Sequence, residues 1–268
     1  RLSAIRSHSL SMKKRIIPSI VLRGGTNVVI SQEFKPWRTV GALAQQLRLH
    51  LNRNCDELLI IDLDQASKAS FNCSERVFQL IRKEVDIPIA YCGGIHNAQD
   101  AAICINAGFD KVYLTSAFLD NAQIVGEVAR LIGSQSTGIC LPYRRNKTNG
   151  NAFMWDYRTS VLLENMGLTT AVRSAIDSGA GEILLYNVDR DGALGGMDID
   201  ILADLEVDSP NVPILIAGGA GSRVHISSIL KSRVVQGVVC GSIFVLTQET
   251  PATIRDHCEQ LGIEMRRA

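Results

Sequence analysis

Two glycine pairs and two hydroxyl-bearing turns recur in this sequence about 125 residues apart. Gly93-Gly94 returns as Gly218-Gly219, and Thr115-Ser116 has a near-counterpart in Gly241-Ser242. Glycine lets a phosphate approach the backbone closely, and N–H groups at a helix N-terminus stabilise its charge. One such turn alone indicates little more than a tight bend. The repeat predicts two phosphate sites, and hence a ligand with a phosphate at each end.

Aspartates form the second group of residues that could do chemistry. The segment Asp189-Arg190-Asp191-Gly192 is typical either of carboxylates at a binding site, with Gly192 beside a phosphate, or of a turn with capping aspartates. Asp62 and Asp64 are two positions apart, so they project from the same side of an extended segment. One or both could therefore face the same pocket.

Four charged residues of alternating sign each stand at the start of a short apolar run: Arg15, Glu57, Lys111 and Glu182. If these runs are strands of one barrel, the four side chains converge at its bottom. Buried charges are tolerated there only when they are paired, so a closed ring of salt bridges is expected. Such a ring is either a structural plug or a gate.

The elements that position these residues are eight short runs rich in β-branched residues, at 15–22, 57–63, 87–92, 111–114, 136–141, 182–188, 212–217 and 237–240. Several are apolar throughout, as parallel strands buried on both faces require, and amphipathic stretches lie between them. Residues 56–64 are echoed by 181–189, so the chain has two similar halves. Because closing the ring removes exposed sheet edges, we predict a single (β/α)₈ TIM barrel built from two half-barrels over residues 12–268. Residues 1–11 are expected to be a disordered extension or an expression remnant.

Composition limits the partners. The 268 residues include 28 basic and 27 acidic side chains, so a net charge of +1 gives no electrostatic reason to expect nucleic acid or a membrane surface. No run reaches the ~18 apolar residues of a membrane-spanning helix, and the polar start is unlike a secretory signal. Seven singly scattered cysteines are typical of free thiols in a reducing compartment, which predicts a cytoplasmic protein. The histidine spacing indicates no metal site, and no cofactor is expected.

Several motifs carry a resemblance to a known family. They are Lys14-Arg15-Ile16-Ile17-Pro18, Asp56-Glu57-Leu58, Cys92-Gly93-Gly94-Ile95, Gly108-Phe109-Asp110-Lys111-Val112, Gly133-Ser134-Gln135, Gly179-Ala180-Gly181-Glu182 and Asp189-Arg190-Asp191-Gly192. From about Met12 onwards, the sequence resembles the cyclase (HisF-type) subunits of imidazole glycerol phosphate synthases. In that family the barrel docks a class-I glutaminase (HisH-like) on its bottom face, and ammonia crosses the barrel. A bisphosphorylated intermediate of histidine biosynthesis is then cleaved and cyclised at the top.

The resemblance implies roles for particular residues. Arg15, Glu57, Lys111 and Glu182 match the ammonia gate, and Asp110 matches a residue near the glutaminase interface.

The sequence departs from the family at the chemistry. Val21 and Pro142 replace the aspartates that end the first and the fifth of the eight predicted strands, and neither can transfer a proton. Val29-Ile30-Ser31 stands where the family has a phosphate-binding lysine.

Three functions are compatible with a sequence that keeps the family's floor charges but lacks its two proton-transfer aspartates. The barrel could conduct ammonia to a separate amidotransferase, for example one that modifies surface sugars. The segments Leu63-Asp64-Gln65-Ala66-Ser67 and Glu33-Phe34-Lys35-Pro36 favour this reading, because they resemble a paralogous branch found with surface-polysaccharide genes. Alternatively, the chain is a histidine-pathway cyclase, a lyase, with Asp64 and Asp191 as substitute catalytic groups. The third possibility is a non-catalytic scaffold that binds a phosphorylated small molecule and regulates a partner.

Overall fold

The computed structural model describes residues 13–65, 68, 70–208 and 210–267. The predicted extension of residues 1–11 lies outside the described residues, as do Ala66 and Ser67. In the described part of the chain, the strands are β1 (Arg15–Arg23), β2 (Asn27–Gln32), β3 (Lys35–Ala42), β4 (Leu58–Asp62), β5 (Ile89–Cys92), β6 (Lys111–Leu114), β7 (Thr137–Arg145), β8 (Ala152–Asp156), β9 (Val161–Gly167), β10 (Glu182–Asn187), β11 (Ile214–Ala217) and β12 (Val235–Cys240).

The helices lie between these strands or follow the last of them. They are α1 (Leu43–Leu51), α2 (Glu75–Glu84), α3 (Ala98–Asn106), α4 (Ser116–Asp120), α5 (Gln123–Ile132), α6 (Leu168–Asp177), α7 (Ile201–Asp208), α8 (Arg223–Leu230), α9 (Ile243–Leu246) and α10 (Pro251–Gln260). Within the described ranges, no helix combines the length and the apolar character needed to cross a membrane.

Eight strands form a closed parallel barrel. The order around it is β1, β4, β5, β6, β7, β10, β11 and β12, and β12 pairs with β1 again through Arg15↔Gly237 to Pro18↔Cys240. The ring also closes between the two halves, where β7 pairs with β10. The predicted (β/α)₈ barrel is confirmed, and each of the eight predicted runs overlaps one of its strands.

The strands are apolar throughout because both of their faces are buried. On β1, Ile16 and Ile20 point outward and join the large core that the helices cover. Ile17 points inward and joins a smaller cluster inside the barrel, which includes Leu59, Tyr113, Leu184 and Leu215. The barrel interior is therefore packed with side chains, as is usual for this fold.

Two β-hairpins, which the strand pattern did not predict, stand at the top of the barrel. After β1 the chain forms the hairpin β2–β3, and after β7 it forms the hairpin β8–β9. The first hairpin turns at Glu33 and Phe34, whose φ angles are +50° and +64°. Two successive positive φ angles are typical of the turn that matches the twist of paired strands, although glycine or asparagine usually occupies these positions.

Candidate functional site

The structure brings the four predicted floor charges together at the bottom of the barrel. Arg15 Nη1 donates to Glu57 Oε2 at 3.1 Å, and Arg15 also donates to Glu182. Lys111 Nζ lies 2.5 Å from Glu182 Oε1. Among the described side chains, the ion pairs run from Glu57 through Arg15 and Glu182 to Lys111, and no pair joins Lys111 to Glu57. The expected closed ring is thus an open chain, whose Glu57 end meets Arg266 at 3.7 Å.

Burial and charge act in opposite directions on Glu182, whose side chain is only 2% exposed. Burial disfavours its charged form, but Arg15 and Lys111 outweigh this and hold the pKa of Glu182 below its usual value. Tyr113 adds a third donor, since its hydroxyl lies 2.5 Å from Glu182 Oε1. Tyr113 follows Lys111 by two positions on β6, and side chains with that spacing face the same side of a strand. That spacing was the one sequence signal that could have placed Tyr113 in the floor.

Asp110, the predicted interface residue, is exposed at the same end of the barrel. Its backbone N–H donates to the Ile89 carbonyl at 2.8 Å, and its carboxylate accepts from the Ile89 N–H at 2.8 Å. One carboxylate oxygen thus fixes the start of β5 relative to β6. The acidic side chain remains on the surface of the bottom face.

At the opposite end of the barrel, the glycine turns have matching contacts in the two halves. A Cβ on Gly93 would lie 2.6 Å from the Asp62 carbonyl oxygen, and one on Gly218 would lie 2.4 Å from that of Asn187. Asp62 and Asn187 end the strands β4 and β10, which are equivalent in the internal repeat. The close approach of backbone to backbone therefore explains why glycine is needed here, whether or not a phosphate binds.

The residues predicted to bind phosphate line two cavities at this mouth. Gly93, Gly94, Thr115 and Ser116 line what we call the first mouth cavity. The second mouth cavity is lined by Gly192, Gly218, Gly219, Gly241 and Ser242. The structure thus collects each half of the predicted set in its own place. In the first, the Ser116 hydroxyl lies 3.4 Å from the hydroxyl of Tyr157, which belongs to the hairpin β8–β9.

The first mouth cavity is largely apolar. Val21 and Pro142 line it, together with Cys92, Cys140 and Leu184. All seven cysteines of the chain are free and buried.

Asp62 is the carboxylic acid that lines the first mouth cavity, and it is only 4% exposed. Burial raises its pKa, although the Tyr91 hydroxyl, 3.1 Å from Asp62 Oδ2, favours the charged form. Its other oxygen accepts from the Asp64 N–H at 3.0 Å. Sequence reasoning placed Asp62 near the pocket but did not include it among the candidate catalytic groups.

Asp64 and Asp191, the two candidate substitutes, line different cavities. Asp64 accepts from the Gly25 N–H at 3.0 Å and lines an open cleft, which shares Phe34, Leu63, Ser116 and Tyr157 with the first mouth cavity. Asp191 lines the second mouth cavity, and both of its oxygens have donors: the Tyr186 hydroxyl at 2.9 Å and the Phe34 N–H at 3.0 Å. Neither aspartate lines the cavity that holds Pro142.

The hairpin β2–β3 is fastened over the mouth. The Phe34 ring makes edge-to-face contacts with Tyr186 at 4.7 Å and with Trp155 at 5.9 Å between ring centroids. Arg144 donates to Glu33 at 2.8 Å and to Asp189 at 2.9 Å. Its guanidinium also stacks on Trp155 at 4.9 Å from the ring centroid. We call this set of contacts the hairpin latch, which joins the loops after strands β1, β7 and β10.

A parallel eight-stranded barrel with a charged floor and doubled glycine turns defines the class to which this protein belongs. The chain matches the family described as "Histidine biosynthesis protein" over residues 15–250, and it is a member of that family. It is 30% identical over 257 residues to the imidazole glycerol phosphate synthase subunit HisF of Streptococcus mutans, which covers 95% of this chain and 100% of the relative. The HisF subunit of Streptococcus sanguinis is also 30% identical, with 95% and 99% covered. A protein of Leptospira interrogans provisionally named as a HisF subunit is 28% identical, with 87% and 91% covered. The predicted resemblance to HisF-type subunits is confirmed.

Proposed function

We propose that this chain is a HisF-like barrel that docks a class-I glutaminase on its floor and conducts ammonia to a separate biosynthetic amidotransferase, such as one that modifies surface sugars. The observation that carries the proposal is the contrast between the two ends of the barrel. The four floor charges meet in one chain of ion pairs, whereas Val21 and Pro142 face the mouth where proton transfer would be needed.

The floor supports the first half of the proposal. Glu182 is charged and buried, and it receives Arg15, Lys111 and Tyr113 at once. A network of this kind costs desolvation free energy, and an apolar floor of similar volume would often be equally stable or more stable. Its presence favours a role at the floor beyond stability. The exposed Asp110 carboxylate offers a charged contact on the face where the glutaminase would bind.

The mouth supports the second half. General acid and base groups each contribute roughly 10²- to 10⁴-fold to a rate, and a valine and a proline contribute none. Asp62 is the remaining carboxylic acid along the first mouth cavity, and Tyr91 and the Asp64 N–H already engage both of its oxygens. A phosphorylated small molecule still fits the proposal, because each set of glycine and hydroxyl residues shares a cavity.

The second candidate is a histidine-pathway cyclase with relocated catalytic groups. The placement of the two candidate groups disfavours it, since Asp64 and Asp191 line different cavities and neither lines the first mouth cavity, where Pro142 stands in place of a proton-transfer group. The third candidate, a regulatory scaffold, predicts phosphate binding without any stimulation of a glutaminase.

Two assays separate these functions. In the first, the purified chain is mixed with class-I glutaminases from the same genome, and binding and glutamine hydrolysis are measured. We expect a micromolar complex with stimulated hydrolysis, weakened by Asp110→Lys on the bottom face. The same charge reversal at Asp200, exposed on the mouth side, serves as the matched control and should have no effect. If no glutaminase binds at micromolar concentration, ammonia delivery is excluded.

The second assay supplies the histidine-pathway intermediate with saturating ammonium, which bypasses any glutaminase. We expect no useful cyclisation and no complementation of a histidine auxotroph lacking its cyclase subunit. The double variant Val21→Asp with Pro142→Asp is the matched test for whether the rest of the pocket is competent. Ammonium-dependent turnover by the unmodified chain within about tenfold of an ordinary cyclase subunit would overturn the proposal, because losing even one acid or base group costs more than that.

A further inference from the structure

The ring of Tyr113 occupies the barrel interior directly above the charged floor. Its side chain is 2% exposed and packs in the inner cluster with Ile17, Leu59, Leu184 and Leu215. The neighbouring strand makes room for it at Gly138. A Cβ there would lie 2.6 Å from both Cδ1 and Cε1 of the tyrosine ring. The ring therefore lies against the backbone of β7 and extends into the centre of the barrel.

The two ends of Tyr113 belong to two different regions. Its hydroxyl donates to Glu182 Oε1 at 2.5 Å and so belongs to the floor. Its ring, together with Leu184, also lines the first mouth cavity. On its mouth side, this cavity is also lined by the thiols of Cys92 and Cys140 and by Thr115. Cys92 Sγ lies 3.7 Å from Thr115 Oγ1. Tyr113 thus separates the floor from the cavity above it.

We propose that Tyr113 is a movable plug of the barrel interior, tied to the floor by its hydrogen bond to Glu182. Protein interiors contain few voids larger than a water molecule, and ammonia is about the size of water. A molecule that travels from the floor to the mouth must therefore displace inner side chains, and Tyr113 is the one among them that both bonds Glu182 in the floor and lines the first mouth cavity. This inference rests on the proposed conduction of ammonia and names the residue that controls it.

The tie to Glu182 gives the plug a direct link to the floor charges. The carboxylate accepts from Arg15, Lys111 and the Tyr113 hydroxyl at the same time. A rearrangement of the floor that moves Glu182 removes the acceptor of Tyr113 and frees the ring. Opening of the floor and opening of the interior are then a single event.

The first test is structural and does not depend on ammonia. Crystals of the wild type and of Tyr113→Ala are pressurised with xenon, which enters apolar cavities. We expect no xenon between the floor and the mouth in the wild type, and xenon beside Leu59, Leu184 and Leu215 in the variant. Xenon at this level beside an undisplaced Tyr113 would overturn the plug, because the interior would already be open. A variant that folds yet takes up no xenon there would also overturn it.

The second test measures passage in the complex of the barrel, its glutaminase and the aminating enzyme that copurifies with them. The complex receives [amide-¹⁵N]glutamine with an equal concentration of ¹⁴N-ammonium, and mass spectrometry gives the ¹⁵N share of the aminated product. We expect a high share for the wild type and for Tyr113→Ala. For Tyr113→Trp, which enlarges the plug, the share should fall to that of the bulk ammonium. Tyr113→Phe keeps the ring without the tie, and it should retain passage.

The two proposals fail in different ways. A wild-type ¹⁵N share equal to that of bulk ammonium means that the barrel conducts no ammonia, and the xenon result alone then decides whether Tyr113 closes the interior. A high share that is unchanged by Tyr113→Trp, in a variant with wild-type secondary structure, leaves ammonia conduction standing and refutes the plug.

Discussion

Replacing Glu182 by glutamine removes one charge from the floor with almost no change in volume. In the wild type this carboxylate receives Arg15, Lys111 and Tyr113, and its side chain is 2% exposed. In the variant, Lys111 loses its ion pair, while Arg15 keeps Glu57 at 3.1 Å. The tyrosine hydroxyl can still donate to the glutamine oxygen. The cost therefore arises mainly from charge left without a partner.

Removing one partner of a buried ion pair typically costs about 3–5 kcal/mol of folding free energy. Arg15 and Lys111 are 13% and 16% exposed, so water relieves part of this penalty. We expect the lower end, about 3 kcal/mol, which is on the order of a hundredfold in the unfolding equilibrium.

Urea unfolding of the wild type and Glu182→Gln at pH 7 measures the difference. The control is Glu259→Gln, which removes an exposed ion pair with Arg267 and should leave the urea midpoint almost unchanged. Because the pKa of Glu182 is lowered by folding, its stabilisation is complete above the unfolded pKa of about 4.5 and is lost as the pH falls through the lower folded pKa. The difference between the two proteins should thus persist from pH 7 to about 4.5 and shrink below that. A difference at pH 7 below about 1 kcal/mol, the range of an exposed salt bridge, would refute this account of the floor.

Three further outcomes are expected. Burial holds the pKa of His50 at about 4, below the 6.5 of an exposed histidine. As the pH falls, the unfolded chain therefore takes up a proton before the folded one does, and the stability should decrease from pH 6.5 to pH 4. His50→Gln should flatten this part of the stability profile, and an unaltered profile would contradict the assignment. Asp191→Asn removes a carboxylate that accepts from the Phe34 N–H and should speed hydrogen exchange of that amide, whereas unchanged protection would show that the hairpin latch does not need it. Gly219→Ala should destabilise the chain by more than about 2 kcal/mol, because the new Cβ would lie 2.1 Å from a carbonyl oxygen at a φ of +90°. Gly262→Ala, with a similar φ of +78° and open space around it, measures the backbone strain alone and should cost less.

The barrel was predictable because its strands are marked twice in the sequence. Both faces of each strand are buried, which gives continuous apolar runs, and the two halves repeat the runs. The strand at Lys111–Leu114 has the predicted bounds, whereas β7 extends beyond the predicted end at residue 141 to Arg145. The added residues pair with β8, as in Tyr143↔Met154. A hairpin partner that the repeat does not include therefore lengthens the strand.

The convergence of the floor charges was predictable because each lies at the beginning of a barrel strand. Closure of a parallel barrel brings the beginnings of all its strands to the same end. The hairpin latch was not predictable, since Glu33 lies in the turn between β2 and β3 and Arg144 near the end of β7, 111 positions apart in sequence. Their ion pair depends on how far two unpredicted hairpins extend above the barrel. Tyr113 falls between these cases: its side of the strand follows from Lys111, but its contact with Gly138 depends on the register of β6 and β7.

Floor and mouth are also separable in energy, which explains how one could change without the other. Arg15 and Val21 lie six positions apart on β1, roughly 20 Å at about 3.3 Å per residue, and sites this distant usually contribute to stability additively. Loss of a proton-transfer group at the mouth therefore leaves the contribution of the floor salt bridges to the folding free energy unchanged. A double-mutant cycle tests this: Val21→Ala and Glu182→Gln should add within about 0.5 kcal/mol. Tyr113→Phe and Glu182→Gln should deviate from additivity by more than that, because the 2.5 Å hydrogen bond to the charged carboxylate becomes a weaker bond to a neutral amide. Coupling between Val21 and Glu182 as strong as that between Tyr113 and Glu182 would mean that the barrel transmits the chemistry of its mouth to its floor.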